Sequence, residues 1–137
     1  MIINADDLIA GRLASFAAKK ALLGNKVDIV NCEKAVITGN KKRILERYKQ
    51  KREMGIPLKG PYISRTPEQL LRRIVRGMLP YKQEKGKLAF QKVKCHRGIP
   101  QEFEGKDMIT IQKSHVEKLP NLKYISINDI SKFLRSK

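Results

Sequence analysis

Between residues 41 and 97 the chain carries eighteen Lys and Arg against four Asp and Glu, a local charge of +14 out of +17 for the whole sequence. The flanks are nearly balanced, at +1 for residues 1–40 and +2 for residues 98–137. No fold can bury that middle stretch around its full circumference, because like charges at this density repel and unpaired charges resist leaving water. Its elements must turn one face to a core built largely by the rest of the chain and the other to something anionic. A charge excess confined to one segment is a binding feature, and a polyanion is the expected partner.

At 137 residues there is room for one domain, and folding at this size buries roughly two-thirds of the unfolded chain's surface without help from disulfides or metals. Residues 1–137 are therefore read as a single domain with a basic segment at about 41–97. Aromatic content of 6% with no Trp means an aliphatic core. Cys32 and Cys95 lack CxxC spacing, and no basic, apolar leader precedes them, which points to a cytosolic, reduced protein. The longest apolar stretches are a few residues, too short to span a membrane, and no bulky apolar face is left over for a lipid surface.

The first forty residues read as a strand from Ile2, a helix from Ala10 to Leu23 stopped by Gly24-Asn25, and a buried strand at Val27–Val30. Leu13, Phe16, Ala17 and Ala21 share one face of that helix, so the unit is a βαβ candidate with a right-handed crossover. Asn40 is placed to cap a helix from Lys41 to about Glu53, ended by Gly55 and Pro57. Only Ile44, Leu45 and Tyr48 can be buried there, so its far end is expected to project. Thr66, Pro67 and Gln69 match a capping box, and Leu70, Leu71, Ile74, Val75 and Met78 form the apolar stripe of the helix that follows, stopped by Pro80. Gly77 inside it is tolerable if a neighbouring backbone passes close. Residues 58–65 and 81–87 show no period and are expected to be extended loops. Val93–Cys95 and Tyr124–Ile127 read as strands, and Asp129–Arg135 as a helix with Ile130, Phe133 and Leu134 inward; residues 98–122 have no clear pattern.

The candidate binding residues follow from this layout. Lys41, Lys42, Arg43, Arg47, Lys49, Lys51 and Arg52 cover the first basic helix, and Arg72, Arg73 and Arg76 the outer side of the second. Lys59, Tyr62 and Arg65 lie in the connector before the second helix, and Tyr81, Lys82, Lys85 and Lys87 in the one after it, with Lys94 and Arg97 continuing the run. Arg suits bidentate phosphate contacts and Lys point-charge contacts, while Tyr62 and Tyr81 offer rings for stacking on exposed bases. A solvated charged face is the usual reading of one basic helix, but not of +14 in 57 residues.

Other chemistries find less support. Gly11 at a strand-to-helix turn lacks the companions of GxGxxG or GxxxxGK[ST], which disfavours a nucleotide-binding Rossmann-like enzyme and makes βα packing its better account. Cys95-His96, with Cys32 and His115 distant, lacks the paired spacing of a zinc site. No Ser, His and acid arrangement marks a nucleophile, and Glu33, Glu46 and Glu68 have no carboxylate partner. No enzymatic activity, metal, cofactor or small-molecule substrate is expected. A DNA-binding or chromatin-associated module would use the same charge and remains the main alternative.

The blocks Gly11-Arg12-Leu13-Ala14-Ser15, Asn31-Cys32-Glu33-Lys34-Ala35-Val36-Ile37-Thr38-Gly39-Asn40, Arg65-Thr66-Pro67 and Val75-Arg76-Gly77-Met78-Leu79-Pro80, in this order, resemble the ribosomal protein L13 family. The short link from Leu23 to Val27 and the ending around His115, Tyr124 and Ile130–Leu134 are similar to its archaeal and eukaryotic branch. Cys32 stands where the family often has Ala, and Cys95-His96 where a Val-Tyr-like pair is common. The resemblance implies an α/β fold in three α/β/α layers around a four-stranded parallel sheet of order 3-2-1-4, with the strands near Val93 and Tyr124 in that sheet. It further implies binding to large-subunit rRNA during assembly, contact with neighbouring large-subunit proteins, and a cytoplasmic location in that subunit.

Overall fold

The computed structural model describes residues 1–136. Its centre is a parallel sheet of three strands in the order β1 (Ile2–Asn4), β2 (Val27–Val30) and β4 (Val93–Cys95), with Ile3 opposite Ile29 and Ile29 opposite Cys95. The chain passes from β1 to β2 through α1 (Ala10–Leu22), the expected βαβ unit. Gly24, at φ +95°, lets the chain reverse after that helix. The buried faces are aliphatic: Ile3, Leu13, Val27, Ile29, Leu71, Val75, Val93, Ile127, Ile130 and Leu134 are all fully buried.

The four-stranded parallel sheet is not formed by regular strands. β5 (Tyr124–Ser126) leaves it and pairs antiparallel with β3 (Val36–Thr38), so that Ile37 faces Ile125. The cause is non-local. Residues 98–122 run as single 3₁₀ turns across the β1 edge and the start of α1, bridging Ile3 to Ile109 and Leu8 to His115. That path delivers Tyr124 to β3 from the opposite direction. Helix α5 (Ile127–Arg135) then folds back, its start capped by the Ser126 hydroxyl, which accepts from the Asp129 amide at 3.1 Å.

Three helices carry the basic segment. In α2 (Lys41–Glu53), Asn40 is the cap, its Oδ1 accepting from the Lys42 amide at 3.0 Å, and none of the helix's residues is fully buried. Its far end does not project freely, because Arg52 donates to the carbonyls of Leu134 and Ser136 at 3.3 and 3.2 Å. A cation at the α5 C-terminus meets carbonyls that have no partner inside that helix. Helix α3 (Pro67–Gly77) begins where Pro67 requires, but the capping box is not made. Thr66 Oγ1 is buried without a partner, and Gln69 instead pairs with the Ser64 hydroxyl. Residues 81–87 are not wholly an extended loop: α4 (Glu84–Gln91) starts inside them, and buried Gly86 and Ala89 pack it onto the body. A β-carbon on Gly86 would stand 2.0 Å from the Pro80 carbonyl oxygen, so glycine alone permits this approach.

Candidate nucleic-acid interface

The α3 sequence PEQLLRRIVRG is sharply two-sided. Leu70, Leu71 and Val75 are buried against α1, α5 and β4, which fixes Arg73 and Arg76 outward and leaves Arg72 half-buried at the boundary. The Arg72 guanidinium carbon lies 4.5 Å from the centre of the Phe90 ring, and Arg76 lies 5.3 Å from that of Tyr81. Arg73 donates to the Tyr62 carbonyl at 3.0 Å. Arg72, Arg73 and Arg76 thus line one recess of about 170 Å³, together with Ser64, Gln69 and Phe90. Three guanidinium groups held around a small opening, each braced by a ring or a carbonyl, suit a phosphate group.

A second recess, of about 400 Å³, lies between α2 and the start of α1. Arg47, Tyr48 and Lys51 enter it from α2, facing Ile9, Ala10 and Gly11. Burial raises the Tyr48 phenol above its usual range, with Arg47 opposing, so the group is a neutral hydroxyl at physiological pH.

The remaining expected residues are distributed over the same segment. Lys41, Lys42, Arg43, Lys49, Lys59, Tyr62, Arg65, Tyr81, Lys82, Lys85, Lys87, Lys94 and Arg97 are exposed. Lys85 and Lys87 stand on α4 rather than in a loop, while Lys94 on β4 and Arg97 just beyond it lie outside both recesses. Arg52 is engaged with α5 and acts as a brace. The sequence reading missed Phe90, the platform under Arg72, because it lies in residues 88–92, between the expected loop and the expected strand, where no element was read.

Intramolecular pairing leaves this charge almost untouched. Among the described residues, one Lys or Arg of segment 41–97 has a carboxylate within 4.0 Å: Lys49, with Glu53 at 3.9 Å. Glu68, four residues before Arg72, does not pair with it, and Arg72 Nε is buried with no hydrogen bond to any of the described residues. The carboxylates elsewhere have structural partners. Glu33 accepts from the Gly98 amide at 3.1 Å, Asp28 lies 3.3 Å from His96, and Lys34 meets Asp6 at 2.9 Å. Cys32 is buried beside half-buried Cys95, and among the described residues no three His, Cys, Asp or Glu side chains converge as a metal site would need. No helix in the described residues is long and apolar enough to cross a membrane.

Comparison with known proteins agrees with this geometry. Residues 1–102 match the family model described as ribosomal protein L13. The large ribosomal subunit protein uL13 of Methanococcoides burtonii is 44% identical, covering 99% of this chain and 98% of its own. Its counterpart in Archaeoglobus fulgidus is 41% identical over 97% of this chain and 86% of its own, and that of Thermoplasma acidophilum 39% identical over 97% and 96%. The basic α/β chain described here therefore belongs to the ribosomal protein L13 family, whose role in the large ribosomal subunit is structural and not enzymatic.

Proposed function

We propose that the 41–97 face binds large-subunit rRNA and that the sheet and its covering helices hold the binding elements in register within one domain. The observation that carries this reading is that, among the described residues, Lys49 alone of the segment's Lys and Arg side chains has a carboxylate partner. Charge left unpaired at such density is matched by phosphates, which position the protein while the shape of the folded RNA selects the site. Arg72, Arg73 and Arg76 grip one backbone stretch. Lys41, Lys42, Arg43, Arg47, Lys49 and Lys51 follow another, with Arg52 bracing their helix. The groups from Lys59 to Arg65, from Tyr81 to Lys87, and Lys94 and Arg97 reach between RNA helices. The protein works in the large subunit of the cytoplasmic ribosome, beside neighbouring ribosomal proteins.

A fourth parallel position, expected of the strand near Tyr124, falls instead to the segment at Ile109, in the spatial order β4, β2, β1, Ile109. Supporting this, Asn4 donates to the Ile109 carbonyl at 3.1 Å and Ile109 to the Ile2 carbonyl at 2.9 Å, a parallel bridge on the free edge of β1. Ultraviolet crosslinking in cell extract, followed by sequencing of the attached RNA, tests the function. Recovery of large-subunit rRNA is expected. Equal affinity for duplex DNA and folded rRNA at matched salt would favour a general nucleic-acid binder instead.

A further inference from the structure

The turn between α2 and α3 holds apolar side chains out into solvent. Met54 is 55% exposed, Ile56 62% and Leu58 90%, in a chain whose other large aliphatic residues mostly pack inward. This is not a slack loop. The Lys59 and Gly60 amides both donate to the Ile56 carbonyl, at 3.0 and 2.9 Å, and the Tyr62 hydroxyl closes the turn on the Pro57 carbonyl at 2.9 Å. Gly55, at φ +94°, lets the Gly60 carbonyl pass so near that a β-carbon there would stand 1.8 Å from its oxygen. The turn is thus braced from inside while its apolar side chains make no use of the core, the arrangement expected of a contact surface.

What covers this tip is indicated by its collar. Lys49, Lys51, Arg52, Lys59 and Arg65 surround it in the sequence, and the one acid among them, Glu53, is engaged by Lys49. A protein pocket receiving the tip would need an acidic rim, whereas a nucleic acid offers an apolar base face between two phosphates. We propose that this turn is a wedge that enters large-subunit rRNA, with Leu58 packed on the face of a nucleobase taken out of its stack and Lys59 on an adjacent phosphate. Apolar wedges between base steps, flanked by cations, are a general device of nucleic-acid binding. The inference rests on the rRNA-binding reading and adds to it a salt-independent contact.

The test is filter binding of the full chain to protein-free large-subunit rRNA across a salt series. Leu58→Ala should weaken binding about tenfold at every salt concentration with the log–log slope unchanged, the mark of lost apolar burial. Lys59→Ala should make the slope shallower by about 0.7 to 0.9. Leu58→Phe should keep wild-type affinity, since an aromatic face also packs on a base. At 90% exposure Leu58 adds little to the fold, so all Leu58 variants should melt as the wild type does. Wild-type affinity for Leu58→Ala, or an equal loss in Leu58→Phe, overturns the wedge alone. A wild-type chain that binds no rRNA overturns the rRNA reading and the wedge together.

Discussion

Arg72 of α3 rests over the ring of Phe90 at the end of α4, 4.5 Å from guanidinium carbon to ring centre. The contact ties α3 to α4 and fixes one of three converging guanidinium groups before any phosphate arrives. A cation over a ring in a partly desolvated site contributes about 1 to 2 kcal/mol, and a pre-set side chain loses less entropy when it binds. Phe90→Leu keeps the apolar bulk and all the charge, so rRNA affinity should fall about three- to tenfold with an unchanged salt slope. The double variant Arg72→Ala, Arg76→Ala should instead flatten the slope by up to about 0.9 per lost duplex contact. Binding curves at several salt concentrations separate the two, and an unaltered slope in the double variant would count against the arginine recess.

Without its polyanion the chain should be strained by its own charge. The 41–97 face holds +14 with, among the described residues, one carboxylate contact to a Lys or Arg, and salt screens repulsion between exposed charges more than a Debye length of about 10 Å apart at 0.1 M. The melting temperature of the free protein is therefore expected to rise as NaCl increases from low to moderate concentration. Replacing Lys41, Lys42 and Arg43 together with Gln should produce part of that rise at low salt while weakening RNA binding. A melting temperature that falls with salt would show that attractive pairs, not repulsion, dominate the surface.

Much of this was legible in local pattern. Asn40 capped its helix and Pro67 opened the next one as read, because capping chemistry and a locked φ act within a few residues. The strands at Val93 and Tyr124 were also located locally. Which sheet Tyr124 joins was not legible, since the path of residues 98–122 decides it through bridges such as Ile3 to Ile109. Helix α4 was hidden because its few apolar residues, Leu88, Ala89 and Phe90, lie at its end, and its packing depends on Gly86 meeting Pro80. The site residues could be named from charge, but their bracing by Phe90 and the Leu134 carbonyl is tertiary.

Two helical glycines should respond oppositely to alanine. Apart from its chain neighbours and the backbone of its own helix, no atom of the described residues lies within 4 Å of a β-carbon built on Gly77, so the close approach of a neighbouring backbone that would excuse a glycine there is not made. Gly77→Ala is expected to stabilise the fold by up to about 1 kcal/mol through helix propensity. Gly86→Ala forces a β-carbon against the Pro80 carbonyl and should cost about 3 kcal/mol, lowering the melting temperature by roughly 10 °C in a chain of this size. Thermal unfolding of both variants beside the wild type checks the contrast. A Gly86→Ala protein that melts like the wild type would mean that α4 does not dock on Pro80.

Cys32 should make the fold sensitive to alkaline pH. Its thiol is pushed far above its ordinary value of 9.0 by its interaction with Cys95 and by burial, and its Sγ lies 3.3 Å from the Ile29 carbonyl oxygen. A folded-state value above the unfolded one means that the native chain holds a proton the unfolded chain has lost. The stabilisation is fully present below pH 9.0 and declines as pH rises beyond it, by about 1.4 kcal/mol per unit. Cys32→Ala removes this term, so its deficit relative to the wild type, measured by urea unfolding with reductant present, should shrink by about 1 kcal/mol between pH 8 and pH 10. A deficit that stays constant over that interval would mean that the thiol ionises as readily in the folded chain as in the unfolded one.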